Sequence, residues 1–127
     1  MKTVEIGRLG EKLAAKYLKK NKYRILETNL HVSHNEIDII AKNKEFLVFV
    51  EVKTRSTDET LFSEFGTPAT AVDHGKQQRL ISAARGYIAK GDFPALQPRF
   101  DVIEVYLNKD NDKVLKINHI INAFGAR

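Results

Sequence analysis

The sequence predicts one α/β domain with a mixed central β-sheet flanked by helices. Its 127 residues are the size of one ordinary domain. Two segments show the apolar spacing of amphipathic helices, and five short runs are rich in β-branched and aromatic residues. The order is a helix, three strands, a second helix and two strands, with no linker or internal repeat. We therefore expect a single domain over residues 1–127.

The first half of the chain predicts a helix followed by three strands. Apolar residues recur at helical spacing over residues 4–21, with lysines between them on the outer surface. A strand over 23–28 follows, and two stronger strands, 36–41 and 46–53, are joined by a short polar turn. The last of these is apolar on both faces until its end, which is typical of a central strand covered from both sides.

The second half predicts a functional loop, a helix and a β-hairpin. Residues 54–68 contain Ser, Thr, Gly and Pro without periodicity, which indicates a long loop. Apolar residues have helical spacing over 69–89, and Gly91 and Pro94 then end the helix. Strand-like runs over 99–107 and 114–121 are joined by the polar turn 108–112.

Composition and charge exclude several classes of protein. The hydrophobic fraction of 43% is that of a globular chain, and no apolar run is long enough to cross a membrane. Without cysteine there are no disulfides or thiolate zinc sites, and without a secretory signal we expect a cytoplasmic protein. A net charge of +5 favours polyanionic partners such as nucleic acid, although many mildly basic domains bind none.

Charged residues occupy unusual places in the first predicted hairpin. Glu51 and Lys53 share one face of their strand because side chains alternate. Asp38 lies between two isoleucines, where an apolar residue would be expected. Two carboxylates suffice to hold Mg²⁺, and Lys53 could orient or deprotonate the water that attacks a phosphodiester. An ordinary ion-pair cluster is the alternative, and for a lone Glu-x-Lys tripeptide it is the more common explanation.

Five motifs, taken in order, resemble those of a known family. They are GEKLA at 10–14, NEIDIIA at 35–41, FVEVKTR at 49–55, RFDV at 99–102 and HIINAF at 119–124. Together they identify the chain as similar to the YraN-like family, small bacterial proteins of the restriction-endonuclease-like superfamily that are similar to Holliday-junction resolvases. The resemblance runs over residues 7–124 and implies a restriction-endonuclease-like fold.

The resemblance also implies an acidic-acidic-x-lysine catalytic site on Asp38, Glu51 and Lys53. Asp38 and Glu51 would hold Mg²⁺ or Mn²⁺, with the Val52 carbonyl as a third ligand. Glu11 matches a further acidic residue beside the metal. Without the resemblance, Glu11 would be interpreted as an exposed carboxylate, favourable near a helix N-terminus.

The hypothesis that follows is a Mg²⁺- or Mn²⁺-dependent endonuclease acting on DNA, particularly branched or damaged DNA. Arg55, Lys76 and Arg79 are placed where a phosphate backbone could pass the metal, with solvated surface charges as the alternative. Cutting both strands of a junction symmetrically would require two active sites and hence a homodimer. The rival hypotheses are a non-catalytic nucleic-acid-binding module and a protein adaptor.

Other charged residues are expected to be structural. His31 and His34 are three residues apart, and His74 and His119 are isolated. We interpret all four as loop or surface histidines, because no carboxylate completes a metal-binding spacing. Asp101 is either a second acid near the site or the structural partner of a neighbouring base, and we favour the second.

Overall fold

The computed structural model describes residues 3–58 and 72–125, which form two helices and five strands. In chain order the elements are α1 (Thr3–Lys20), β1 (Arg24–Val32), β2 (Asn35–Lys42), β3 (Phe46–Thr57), α2 (His74–Lys90), β4 (Gln97–Asn108) and β5 (Val114–Phe124). Neither helix contains an apolar stretch long enough to cross a membrane.

The five strands form one sheet in the order β1-β2-β3-β4-β5. Neighbouring strands are antiparallel except β3 and β4, which are parallel. Parallel neighbours need a long crossover connection, and the connection between β3 and β4 contains α2. The predicted α/β class, with a mixed central sheet flanked by helices, is confirmed.

A hydrophobic core lies on each face of the sheet. Ala14 and Leu18 of α1 pack on one face, and Leu80 and Ile81 of α2 pack on the other. The central strand β3 contributes to both cores, with Val48 and Val50 under α1 and Leu47 and Phe49 under α2. The prediction of a central strand covered from both sides is therefore confirmed.

The boundaries of several elements differ from those predicted. β3 continues to Thr57, so the first part of the predicted loop is strand and pairs with the second half of β4. Partner strands rather than local propensity extend it, because every residue from Phe46 to Thr57 has a partner in β4. The rest of the predicted loop lies outside the described residues. α2 begins at His74 instead of residue 69, and residues 69–71 also lie outside them.

A buried polar cluster corrects the prediction for His119. Its side chain is 5% exposed, and its Nε2 lies 2.6 Å from the Asp101 Oδ2. Asp101 also accepts two hydrogen bonds from Arg99, at 2.9 and 2.7 Å, which confirms its structural pairing with a neighbouring base. The surface assignment of His119 was wrong because its partners Asp101 and Tyr17 are distant in the sequence.

Candidate active site

The ends of β2 and β3 place Asp38 opposite Glu51. The antiparallel ladder between the strands ends at the Ile39–Val50 pair, one residue before both carboxylates. Beyond it, Asp38 hydrogen-bonds to Glu51 and its Oδ2 accepts a hydrogen bond from the Val52 N–H at 2.8 Å. The N–H and C=O of one residue point to the same side of an extended strand. The Val52 carbonyl, the predicted third metal ligand, therefore also faces β2.

A close approach of α1 to β3 brings Glu11 to this pair. Gly10 is buried, and a Cβ on it would lie 1.8 Å from the Thr54 Oγ1, so a larger residue would force the elements apart. Glu11 follows Gly10 in the helix and hydrogen-bonds to Asp38. The structure thus brings the three predicted carboxylates Glu11, Asp38 and Glu51 together.

Sequence reasoning missed two members of this cluster, Glu36 and Asn29. One carboxylate oxygen from each of Glu11, Glu36 and Asp38 lies within 4.8 Å of the others. With its amide nitrogen facing them, Asn29 donates at 2.9 Å both to Glu11 and to Glu36. Strand alternation could have identified Glu36, because Glu36 and Asp38 are two residues apart on one face. No local pattern indicates Asn29, whose place depends on the pairing of β1 with β2.

Two lysines neutralise Glu51, whose side chain is 4% exposed. Lys53 lies on the same face of β3 as Glu51, and the Lys53 Nζ is 3.8 Å from the Glu51 Oε2. The Lys76 ammonium contacts the same oxygen. Lys76 lies in the first turn of α2, where the Asp73 side chain caps the helix by accepting a 2.8 Å hydrogen bond from the Lys76 N–H. Lys76, predicted as a phosphate ligand, is therefore part of the same cluster as Lys53.

The two predicted arginines lie farther out. Arg79 follows Lys76 by one turn of α2 and lines a small cavity of about 230 Å³ that also contains Glu51. Arg55 is exposed on β3, beyond Lys53 on the same face, opposite Tyr106 of β4. Among the described residues, Arg79 therefore borders the candidate site and Arg55 continues its surface outward.

The cluster is accessible from solvent through an open cavity of about 620 Å³. This volume is in the usual range for ligand-binding clefts. The charged residues around it are Arg8, Glu11, Glu36, Asp38, Glu51, Lys53 and Lys76. Acidic groups are concentrated on the α1 and β2 side, and the two lysines lie on the β3 and α2 side.

Crowding of the carboxylates changes their pKa values. Burial, followed by the hydrogen bond and charge of Glu51, raises the pKa of Asp38 to about 9. Burial is also the largest cause of the raised pKa of Glu11; a hydrogen bond with Asp38 opposes it, and repulsion by Glu36 adds to it. Burial acts the same way on Glu51, but the Asp38 hydrogen bond and Lys76 outweigh it and lower the pKa of Glu51. A proton on Asp38, or a cation that replaces this proton, would offset the repulsion between the carboxylates.

The chemistry of the donor set fits a hard divalent cation. Mg²⁺ and Mn²⁺ prefer carboxylate and carbonyl oxygens, which are the groups that Glu11, Glu36, Asp38 and Val52 offer here. Glu51 is connected to this group through its hydrogen bond with Asp38. No imidazole belongs to the trio of described side chains close enough to share an ion.

A family model and several known proteins are similar to this chain. The model described as "Uncharacterised protein family UPF0102" matches residues 10–105. A UPF0102 protein from Caldanaerobacter subterraneus subsp. tengcongensis is 50% identical over 119 residues, covering 94% of this chain and 93% of its own length. One from Thermodesulfovibrio yellowstonii is 45% identical over 126 residues, covering 98% of this chain and 99% of its own length.

Among solved structures, an XisH family protein from Nostoc punctiforme has a TM-score of 0.43 at 14% identity, covering 85% of this chain and 97% of that chain. Similarity at this level carries no functional argument. The range of the family match, residues 10–105, includes Glu11, Asp38, Glu51 and Lys53. The chain belongs to the family UPF0102, which is the YraN family that its motifs indicated.

Proposed function

We propose that this protein is a Mg²⁺- or Mn²⁺-dependent endonuclease that hydrolyses phosphodiester bonds in branched or damaged DNA. One observation carries the proposal: carboxylates from three separate elements meet two ammonium groups inside one open cavity. The carboxylates are Glu11, Glu36, Asp38 and Glu51, and the ammonium groups are those of Lys53 and Lys76.

Asp38 and Glu51 are proposed to hold the ion, with the Val52 carbonyl as third ligand and Glu11 and Glu36 beside it. When bound, the ion would withdraw charge from a phosphoryl oxygen and make a bound water more acidic. Strand pairing and the contact of α1 with β3 hold these carboxylates near one another, which supports their role as ligands. Little reorganisation is then required when substrate arrives.

Lys53 is proposed to serve the nucleophile. Its Nζ lies 3.8 Å from the Glu51 Oε2, and its side chain is 25% exposed, so it is held beside the carboxylates and can still reach water. An ammonium there can donate the hydrogen bond that orients the attacking water. Its charge also opposes the negative charge that develops on the phosphate oxygens.

Lys76, Arg79 and Arg55 are proposed to bind the phosphate backbone. The Lys76 side chain is 37% exposed and contacts Glu51. An ion that neutralises Glu51 would release this ammonium to a phosphate. Contacts with the phosphate backbone do not read the base sequence, so recognition would depend on DNA shape. We further propose that the protein acts in the cytoplasm, and that symmetric cutting would use a homodimer.

Purified protein should be tested on linear, nicked, flapped and four-way DNA and on RNA, with and without Mn²⁺. We expect Mn²⁺-dependent cleavage of at least one DNA substrate and none by Asp38→Asn. The matched control is Asp110→Asn, which changes an exposed aspartate in the β4–β5 turn and should cleave normally. Binding without cleavage on every substrate would favour the non-catalytic module, and no binding at low salt would favour the adaptor.

A further inference from the structure

A second large cavity, of about 570 Å³, lies between the C-terminal half of α2 and the β1–β2 turn. Tyr87 and Phe93 form an aromatic wall, with stacked rings whose centroids are 5.5 Å apart at an angle of 21°. The helix α2 and the strand β1 meet at Gly86, because a Cβ added to Gly86 would lie 3.4 Å from the Val32 Cγ1. The exposed Lys90 adds a positive charge to the lining.

Two contacts outside the cavity hold the Tyr87 ring of the aromatic wall in place. The Tyr87 ring packs edge-on against Phe49, with centroids 6.1 Å apart at 85°. The Tyr87 hydroxyl donates a hydrogen bond to the Glu27 Oε2 at 3.5 Å. Because the Tyr87 ring is held from two sides, it loses little conformational entropy when a flat ligand stacks on the aromatic wall.

The aromatic cavity lies beside the candidate active site. The two-residue β1–β2 turn separates them: Ser33 lines the aromatic cavity, and His34 lines the smaller cavity that contains Glu51 and Lys76. α2 forms the other wall of both cavities. A helical rise of about 1.5 Å per residue puts Tyr87 roughly 16 Å from Lys76, about five nucleotides of a stacked strand at ~3.4 Å each.

The charges along this wall match a phosphate backbone. α2 contains no acidic residue, and its cations include Lys76, Arg79 and Lys90. At 3.6 residues per turn, these three lie within about 60° of one another around the helix axis. A polyanionic strand that leaves the active site along α2 would therefore meet positive charge at Lys76 and Arg79, beside the site, and again at Lys90, beside the aromatic cavity.

We propose that the cavity walled by Tyr87 and Phe93 binds an unpaired nucleobase of the DNA strand whose phosphates follow α2. This inference rests on the proposed function and specifies its substrate as DNA with an unpaired nucleotide about five positions from the cleaved phosphate. Aromatic stacking accepts any base, because every base has a flat face. A paired base would first have to leave the duplex, and the cost of unpairing favours single-stranded, flapped or branched DNA.

The test uses a 20-nucleotide DNA that carries the fluorescent base 2-aminopurine, either single-stranded or fully paired, with Ca²⁺ in place of Mn²⁺. Wild type should bind the single strand more tightly and quench its fluorescence. Phe93→Leu keeps an apolar side chain but removes the ring, so single-strand affinity should fall at least about fivefold, with the quenching lost and duplex affinity unchanged. The matched control is Phe124→Leu, which removes another stacked ring, 5.1 Å from Phe100, and should behave as wild type.

A second variant leaves the core intact. Lys90→Gln changes an exposed side chain and should weaken single-strand binding by about threefold, whereas Lys19→Gln on α1 should not. If wild type binds DNA, and both Phe93→Leu and Lys90→Gln bind the single strand as tightly as wild type does, the base-binding inference is wrong and the proposed function stands. An equal loss of single-strand and duplex affinity in Phe93→Leu would also overturn the inference. If wild type binds no DNA at low salt, both proposals fail.

Discussion

Asp38 shows at the scale of one residue why a carboxylate occupies an apolar strand. It is flanked by the buried Ile37 and Ile39, yet its Oδ2 has a hydrogen-bond donor in the Val52 N–H. The other interactions of Asp38 are with Glu51 and Glu11, and they are favourable only when a proton or a cation is shared. The position therefore conflicts with folding stability and suits ion binding.

Without a divalent cation, the free energy of unfolding should fall as pH rises from about 5 to about 9. The pKa of Asp38 is raised in the folded state, so its stabilising contribution is complete below the unfolded pKa and lost as pH rises through the folded pKa. One proton gives a slope of at most about 1.4 kcal/mol per pH unit. Urea unfolding in a chelator at several pH values measures this slope.

In the same measurement, Asp38→Asn should remove the slope and Asp110→Asn should retain it. Added Mn²⁺ should stabilise wild type in a concentration-dependent way, but it should not stabilise Asp38→Asn. Equal slopes and equal Mn²⁺ effects in wild type and Asp38→Asn would show that this carboxylate neither holds the proton nor binds the ion.

At the scale of elements, the contact between α1 and β3 determines where Glu11 lies. Gly10 allows the helix to approach Thr54, and Glu11 then reaches Asp38. Sequence alone gave no reason to place this carboxylate at the site, because helix and strand are far apart along the chain. Only the family resemblance indicated it.

Gly10→Ala should destabilise the protein and impair cleavage together. Its Cβ would lie 1.8 Å from the Thr54 Oγ1, so α1 must move and carry Glu11 away from Asp38. Gly7→Ala makes the same change one turn earlier, with no atom within 4 Å of the new Cβ. It should stabilise the helix by up to about 1 kcal/mol and leave cleavage unchanged. Thermal unfolding and cleavage assays compare the two, and similar behaviour of both variants would contradict the close-approach argument.

At the scale of the whole molecule, local patterns predicted the fold and half of the site. Alternation placed Glu51 and Lys53 on one face, and the doubly apolar β3 indicated a sheet covered by helices, since both features depend on adjacent residues. Contacts across the sheet could not be obtained in this way. The position of Asn29 depends on β1–β2 pairing, and that of His119 depends on Tyr17, which is 102 residues away.

The distribution of charge over the whole molecule predicts where DNA would bind. Arg55→Gln and Arg79→Gln combined should reduce the slope of log affinity against log salt by about two, because each phosphate contact contributes roughly 0.9. Lys76 is left unchanged because it contacts Glu51. The control combines Lys19→Gln and Lys20→Gln at the exposed end of α1 and should leave the slope unchanged. If only the control pair changes the slope, the DNA binds near the end of α1.

The central claim is that Glu51 and Lys53 belong to a metal-dependent catalytic site rather than to a structural ion pair. The most direct test compares DNA cleavage in Mn²⁺ and DNA binding in Ca²⁺ for wild type, Lys53→Ala and Glu51→Gln. Both variants should lose cleavage. Lys53→Ala should still bind DNA in a Ca²⁺-dependent way, because the proposed role of the lysine is in the transition state. Glu51→Gln should lose the Ca²⁺ dependence of DNA binding, because the substitution removes a metal ligand. Cleavage by Lys53→Ala at the wild-type rate would contradict the claim.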